Sequence, residues 1–135
     1  MKKLIPIMAF ISISFGCFAQ NDPYQVPKNY NVSTAEACTQ LNPEILRCID
    51  WLLNTPYNLE PIKRGDANKF FIDWITISAD VHITIRTKIV KFADQKDLLV
   101  VFMAGWTKDV LTSNENHKDI QRGTLAGLNA VITFY

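Results

Sequence analysis

Apolar positions recur along this 135-residue chain with several different periods, and each period predicts an element. Leu4 to Phe15 is an apolar run of 12 residues behind Lys2 and Lys3, relieved only by Pro6, Ala9, Ser12 and Ser14. A charged start followed by a run of this length predicts a secretory signal peptide, because spanning a bilayer takes about 20 residues. Cys17 and Ala19 occupy the small-residue positions ahead of Gln20, which predicts cleavage after Ala19. Gln20 to Val32 is polar, carries Pro23, Tyr24, Pro27 and Tyr30, and predicts an extended lead-in.

From Ser33 the pattern turns helical. Ser33-Thr34-Ala35-Glu36 has the spacing of a capping box and predicts a short helix to about Gln40. Asn42-Pro43-Glu44 predicts a second start, with Asn42 as the cap and Pro43 at the first helical position. Ile45, Leu46, Ile49, Leu52 and Leu53 follow at helical spacing until Pro56. After a loop from Thr55 to Pro61, Asp66 is the expected cap of a third helix that carries Phe70, Phe71, Trp74, Ile75 and Ile77.

Residues 81–90 fit two periods at once. Val81, Ile83, Ile85, Thr87 and Ile89 alternate with polar residues, as in a strand. Val81, Ile85, Ile89 and Phe92 also share one helical stripe, and no other segment alternates well enough to pair with a strand. Helix is therefore preferred here, with strand as the alternative. Asp97 to Ser113 is the strongest helix: the nine residues from Leu98 to Trp106 are apolar all round, which predicts the centre of the core. Gly105 within it costs about 1 kcal/mol relative to alanine, a cost that makes sense where another helix passes close by. Asp119 to Tyr135 predicts a last helix, with Gly123 and Gly127 four residues apart. The expectation is a mainly α single domain of four or five packed helices over residues 33–135, preceded by a signal peptide (1–19) and a lead-in (20–32).

Charge narrows the function classes. Removing Lys2 and Lys3 from 14 basic residues leaves 12 against 13 acidic, a mature net charge of −1. Nothing in that balance favours nucleic acid or an anionic membrane. No second run is long enough to span a bilayer. Cys38 and Cys48 remain after cleavage, and in an oxidising compartment an even pair reads as a disulfide or as two buried thiols. The disulfide is slightly preferred; so short a loop would contribute about 2.5–3 kcal/mol in the chain-entropy model.

Candidate chemistry is sparse. His82 and His117 are the only histidines, and no Gly-x-Ser-x-Gly elbow accompanies them. Glu115, His117 and Asp119 form a polar turn without the tighter His or Cys spacing of a zinc site. Asp50 and Asp73 each precede a tryptophan, a setting that can raise a carboxyl pKa, but the simpler reading is a solvated acid on each helix. Trp51, Trp74 and Trp106 could line a ligand cleft, but they sit at helical spacing, as core residues more often do. No phosphate loop or dinucleotide fingerprint occurs, so no cofactor and no metal are expected.

Phe71-Ile72-Asp73-Trp74-Ile75, Ala104-Gly105-Trp106-Thr107-Lys108 and Gly127-Leu128-Asn129-Ala130-Val131-Ile132 with Phe134-Tyr135 resemble a family of small uncharacterised secreted proteins of Bacteroidota. The resemblance covers about residues 42–135 and carries no activity and no site residue to this chain. The sequence thus leads to two expectations. One is a non-catalytic exported module, periplasmic or extracellular, that binds a protein or small ligand; the other is a small hydrolase-like enzyme with an unusual site.

Export is directly testable. The intact mass of the exported protein should match a chain that begins at Gln20. A diacylglycerol-modified Cys17, for which Gly16 is suited but Ser14 stands where leucine is usual, would instead place the protein on a membrane.

Overall fold

A computed structural model describes residues 23–113 and 118–135. The segment expected to be a signal peptide (1–19), Glu115 and His117 lie outside these residues. Five helices follow one another: α1 (Ala35–Gln40), α2 (Asn42–Asn54), α3 (Pro61–Ile77), α4 (Lys96–Thr112) and α5 (Ile120–Phe134). There is no strand among the described residues, so the chain is mainly α, as the periodicity predicts.

Capping departs from the expected register in three places. Thr34, not Ser33, caps α1 by accepting from the Ala37 amide, while Ser33 donates its hydroxyl to Asn31. Asn42 is the first residue of α2 rather than its cap, and its side-chain amide donates instead to Asp80 at 2.8 Å. Helix α3 begins at Pro61, five residues before Asp66. Glu60 precedes it in the left-handed region (φ 49°), consistent with the exclusion of right-handed helix just before a proline. Asp119 does cap α5, accepting from the amides of Gln121 and Arg122.

Helix α4 is the hub. It packs against α5 on one side and α2 on the other, and buries Val101, Phe102, Ala104, Trp106, Thr107 and Val110. The α4–α5 crossing is close because glycine stands on both sides of it. A Cβ on Gly105 would lie 2.4 Å from the Ala130 Cβ and 2.9 Å from the Ala126 carbonyl. Across the interface, Trp106 sits on Gly123 and Phe102 on Gly127, leaving no room for a side chain at either glycine. The two rings meet edge to face at 5.9 Å, a favourable aromatic geometry.

Helix α2 buries Ile45, Cys48, Ile49 and Leu52, one helical stripe. Helix α3 buries Ala67, Phe70, Phe71 and Trp74, and joins α1 through the Trp74 indole, which donates to the Cys38 carbonyl at 2.8 Å. Arg64 of α3 is only 6% exposed. Its guanidinium donates to the carbonyls of Leu52 and Thr55, satisfying acceptors that the end of α2 would otherwise leave open.

The disulfide expected between Cys38 and Cys48 is absent; both are free, buried thiols. Each sulfur faces its own carbonyl on α3, Cys38 that of Trp74 and Cys48 that of Ala67. Those carbonyls are two helical turns apart, about 10.5 Å of axial rise, so α3 holds the thiols on separate levels of the core. Burial pushes the Cys48 thiol up to about 11, which leaves it protonated and inert at neutral pH.

Residues 81–90 are neither helix nor strand. Val81 and Val90 are buried at the two ends, while Ile85 and Ile89 stay exposed, so neither regular face is used. The segment leaves α3 through Asp80, which Thr39 and Asn42 hold by hydrogen bonds, and then meets only a turn in which the Ile89 and Val90 amides donate to Arg86. Tethering at both ends overrides the local periodicity.

Gly105→Ala should destabilise. Overpacking at such a crossing costs about 1–3 kcal/mol, against about 1 kcal/mol gained in helix propensity. Thermal melting should fall by about 5 °C, fall further for Gly105→Leu, and recover in part when Ala130→Gly accompanies Gly105→Ala. A Gly105→Ala variant that melts at or above the wild type would show that the helices do not meet there.

Candidate functional site

A groove of about 1250 Å3 lies between the lead-in and α3. Residues 25–31 form one wall; Glu60 to Lys63, Asp66, Lys69 and Asp73 form the other. The helical wall follows from spacing: positions 62, 66, 69 and 73 share one face of an α-helix. Its residues are Ile62, which is 83% exposed, Asp66, Lys69 and Asp73.

The lead-in is fixed to the helices by its aromatic residues. Tyr24 is buried beside Trp51, and Tyr30 packs edge to face on Phe70 with centroids 4.6 Å apart. Lys63 lies over the Trp51 ring at 4.7 Å and pairs with Glu60. Burial, with Cys48 alongside, drives the Tyr24 phenol up, so it stays neutral.

One linked group of titratable side chains bridges the walls. The Tyr30 hydroxyl donates to Asp73 Oδ2 at 2.6 Å, and Lys69 Nζ pairs with the same oxygen. Lys69 and Tyr30 hold the Asp73 carboxyl below its ordinary range. Desolvation and the bond to Asp73 raise Tyr30, and the Asp73 carboxylate raises Lys69. Every member is therefore moved further from neutrality: the acid stays ionised, the amine charged and the phenol protonated. Proton transfer at neutral pH calls for groups shifted the other way. The arrangement offers a fixed dipole with a phenol donor, suited to holding polar groups in place.

The residues singled out in the sequence are dispersed. Asp50 pairs with Lys108 of α4 at 2.6 Å, whereas Asp73 faces Tyr30, so the two carboxylates do not form a pair. Trp74 and Trp106 are core side chains and line no cleft. Trp51 is half-buried under Lys63 and Arg64. His82 is exposed in the irregular segment, and Asp119 caps α5. Among the described residues no three His, Cys, Asp or Glu side chains gather as metal ligands. Tyr30, Lys69 and Ile62 were not flagged by sequence motifs; the available signal was the alternation Tyr24, Val26, Tyr30, Val32, which marks one face of the lead-in as seated.

Models of protein families, curated proteins and solved structures yield no match to this chain. The groove must be interpreted from its own chemistry.

The linked group makes a pH prediction. A carboxyl with a depressed folded pKa stabilises above its unfolded value, near 3.8, and loses that contribution as pH falls through the folded one. Tyr30 and Lys69 are raised, so their contributions hold at neutral pH and are lost only on alkalinisation. Urea midpoints of wild type and Asp73→Asn should differ by a constant amount between about pH 5 and 8 and converge as pH falls through the depressed folded pKa of Asp73. A gap that persists in acid would mean that the Asp73 charge is not what the site uses.

Proposed function

We propose that this chain is a non-catalytic exported binding module whose ligand occupies the groove between the lead-in and α3. The observation that carries the reading is the Tyr30–Asp73–Lys69 group. It spans the groove, is fixed by hydrogen bonds, and has every protonation state locked at neutral pH. The hydrolase alternative needs an acid or base poised near neutrality, and these three groups are driven the other way. Ile62 adds a second support: a large aliphatic side chain held in solvent at the groove wall gains nothing from folding and gains by being covered. Export rests on the pattern of the first 19 residues, and places the ligand outside the cytoplasm.

Site-specific photo-crosslinking tests the site. A benzophenone side chain at Ile62, in the full chain expressed and exported by its native host, should give an adduct visible by intact mass. The same group at exposed Thr76, outside the groove, should not. Equal adducts at both positions, or none at Ile62, would overturn the reading.

A further inference from the structure

The lead-in is neither helix nor paired strand, and it bends at Lys28 and Asn29, but its side chains alternate on either side of that bend. Tyr24, Val26, Tyr30 and Val32 pack against the core, while Gln25, Asn29 and Asn31 are exposed, a period of two interrupted at the bend of Lys28 and Asn29. Side chains that alternate in and out leave backbone donors and acceptors directed along the two edges of the segment. None of those groups from residues 24–32 has a hydrogen-bond partner among the described residues. Edge groups of this kind are a template for another extended chain.

The groove runs along that edge. All of residues 25–31 line it, seated and exposed positions alike, as expected where the wall is backbone rather than side chains of one parity. The opposite wall extends from Ile62 to Asp73, about 16 Å of helix, which matches about five residues of extended chain. Its volume of about 1250 Å3 exceeds the roughly 300–1,000 Å3 of most small-molecule sites. Charge adds direction. Lys69 is engaged by Asp73 and Lys63 by Glu60, but Lys28 on the lead-in and Asp66 on α3 have no ion pair among the described residues.

We propose that the groove takes an extended polypeptide segment of about five residues, added as a strand to the free edge of residues 25–31, with a basic side chain at Asp66 and an acidic one at Lys28. The inference rests on the groove being the binding site. Backbone pairing supplies affinity and the two flanking charges supply selectivity, the division of labour seen where sheet edges capture peptides.

The probe is an array of acetylated, amidated hexapeptides that carry one lysine and one glutamate at varied spacing, screened with the mature chain from Gln20. The best binder is then remade with alternate amides N-methylated. Methylation in one parity should lower affinity at least tenfold, and in the other parity should leave it unchanged. Amide exchange should slow on binding at alternate residues of 25–31, those whose N–H faces the peptide, Pro27 excepted. Asp66→Asn should weaken the lysine-bearing peptide and leave its norleucine analogue unaffected. If peptides bind but neither methylation series matters and residues 25–31 stay unprotected, the groove reading survives and strand addition is overturned. If no peptide binds while the Ile62 crosslink still forms, the ligand belongs to another class and the proposal again fails. Loss of both signals removes the groove reading itself.

Discussion

The close crossing of α4 and α5 is the constraint on which the rest of the structure depends. Gly105 meets Ala126, Gly127 and Ala130, and the rings of Phe102 and Trp106 sit where side chains on Gly127 and Gly123 would otherwise stand. Truncating a ring of this kind to alanine costs about 3–5 kcal/mol in a packed core, a large share of the stability of any small domain. With α5 held against one side of α4, the opposite side is free to receive α2, and α3 then packs on α2. The groove lies at the far end of this series, on the side of α3 remote from the crossing.

Two polar contacts fix α3 where apolar packing alone would let it slide. The Trp74 indole is bonded to the Cys38 carbonyl, and Arg64 is bonded to the carbonyls that end α2. Burying an arginine is unfavourable unless its charge is well hydrogen-bonded, so each such contact has a narrow tolerance for displacement. Rings of Trp51, Tyr57 and Phe134 surround the guanidinium at 5.5–5.8 Å and replace part of its lost hydration. The helical wall of the groove is anchored in this way from within the core.

The sequence was most informative where a residue had only one physical explanation. A glycine inside an all-apolar helix can be there only for close approach, and Gly105 is so used; α4 and α5 are both legible within a residue at each end. Residues 81–90 were misleading because two periodicities agreed with the composition, while the tethers at Asp80 and Val90 that decide the outcome are tertiary. The start of α3 was hidden for a different reason. Its first turns invert the usual pattern, with Arg64 inside and Ile62 outside, so no apolar stripe announces them. The groove was illegible as a site because its walls come from segments that share no motif. Only the alternation of the lead-in hinted that one face of it was seated.

That inversion links folding to the site. Residues two apart on a helix point about 200° away from each other. Seating Arg64 against the end of α2 therefore turns Ile62 to the opposite side, into the groove. Asp66, Lys69 and Asp73 fall within about 40° of Ile62 by the same geometry, whereas Ala67, Phe71 and Trp74 fall with Arg64 on the buried side. One rotation of α3 thus satisfies the open carbonyls of α2 and assembles the polar wall. An apolar residue at position 64 would leave those carbonyls unmet, and the drive to bury it elsewhere would disturb the orientation of the wall. A buried charge at this position is better understood as fixing which face α3 presents than as adding to stability.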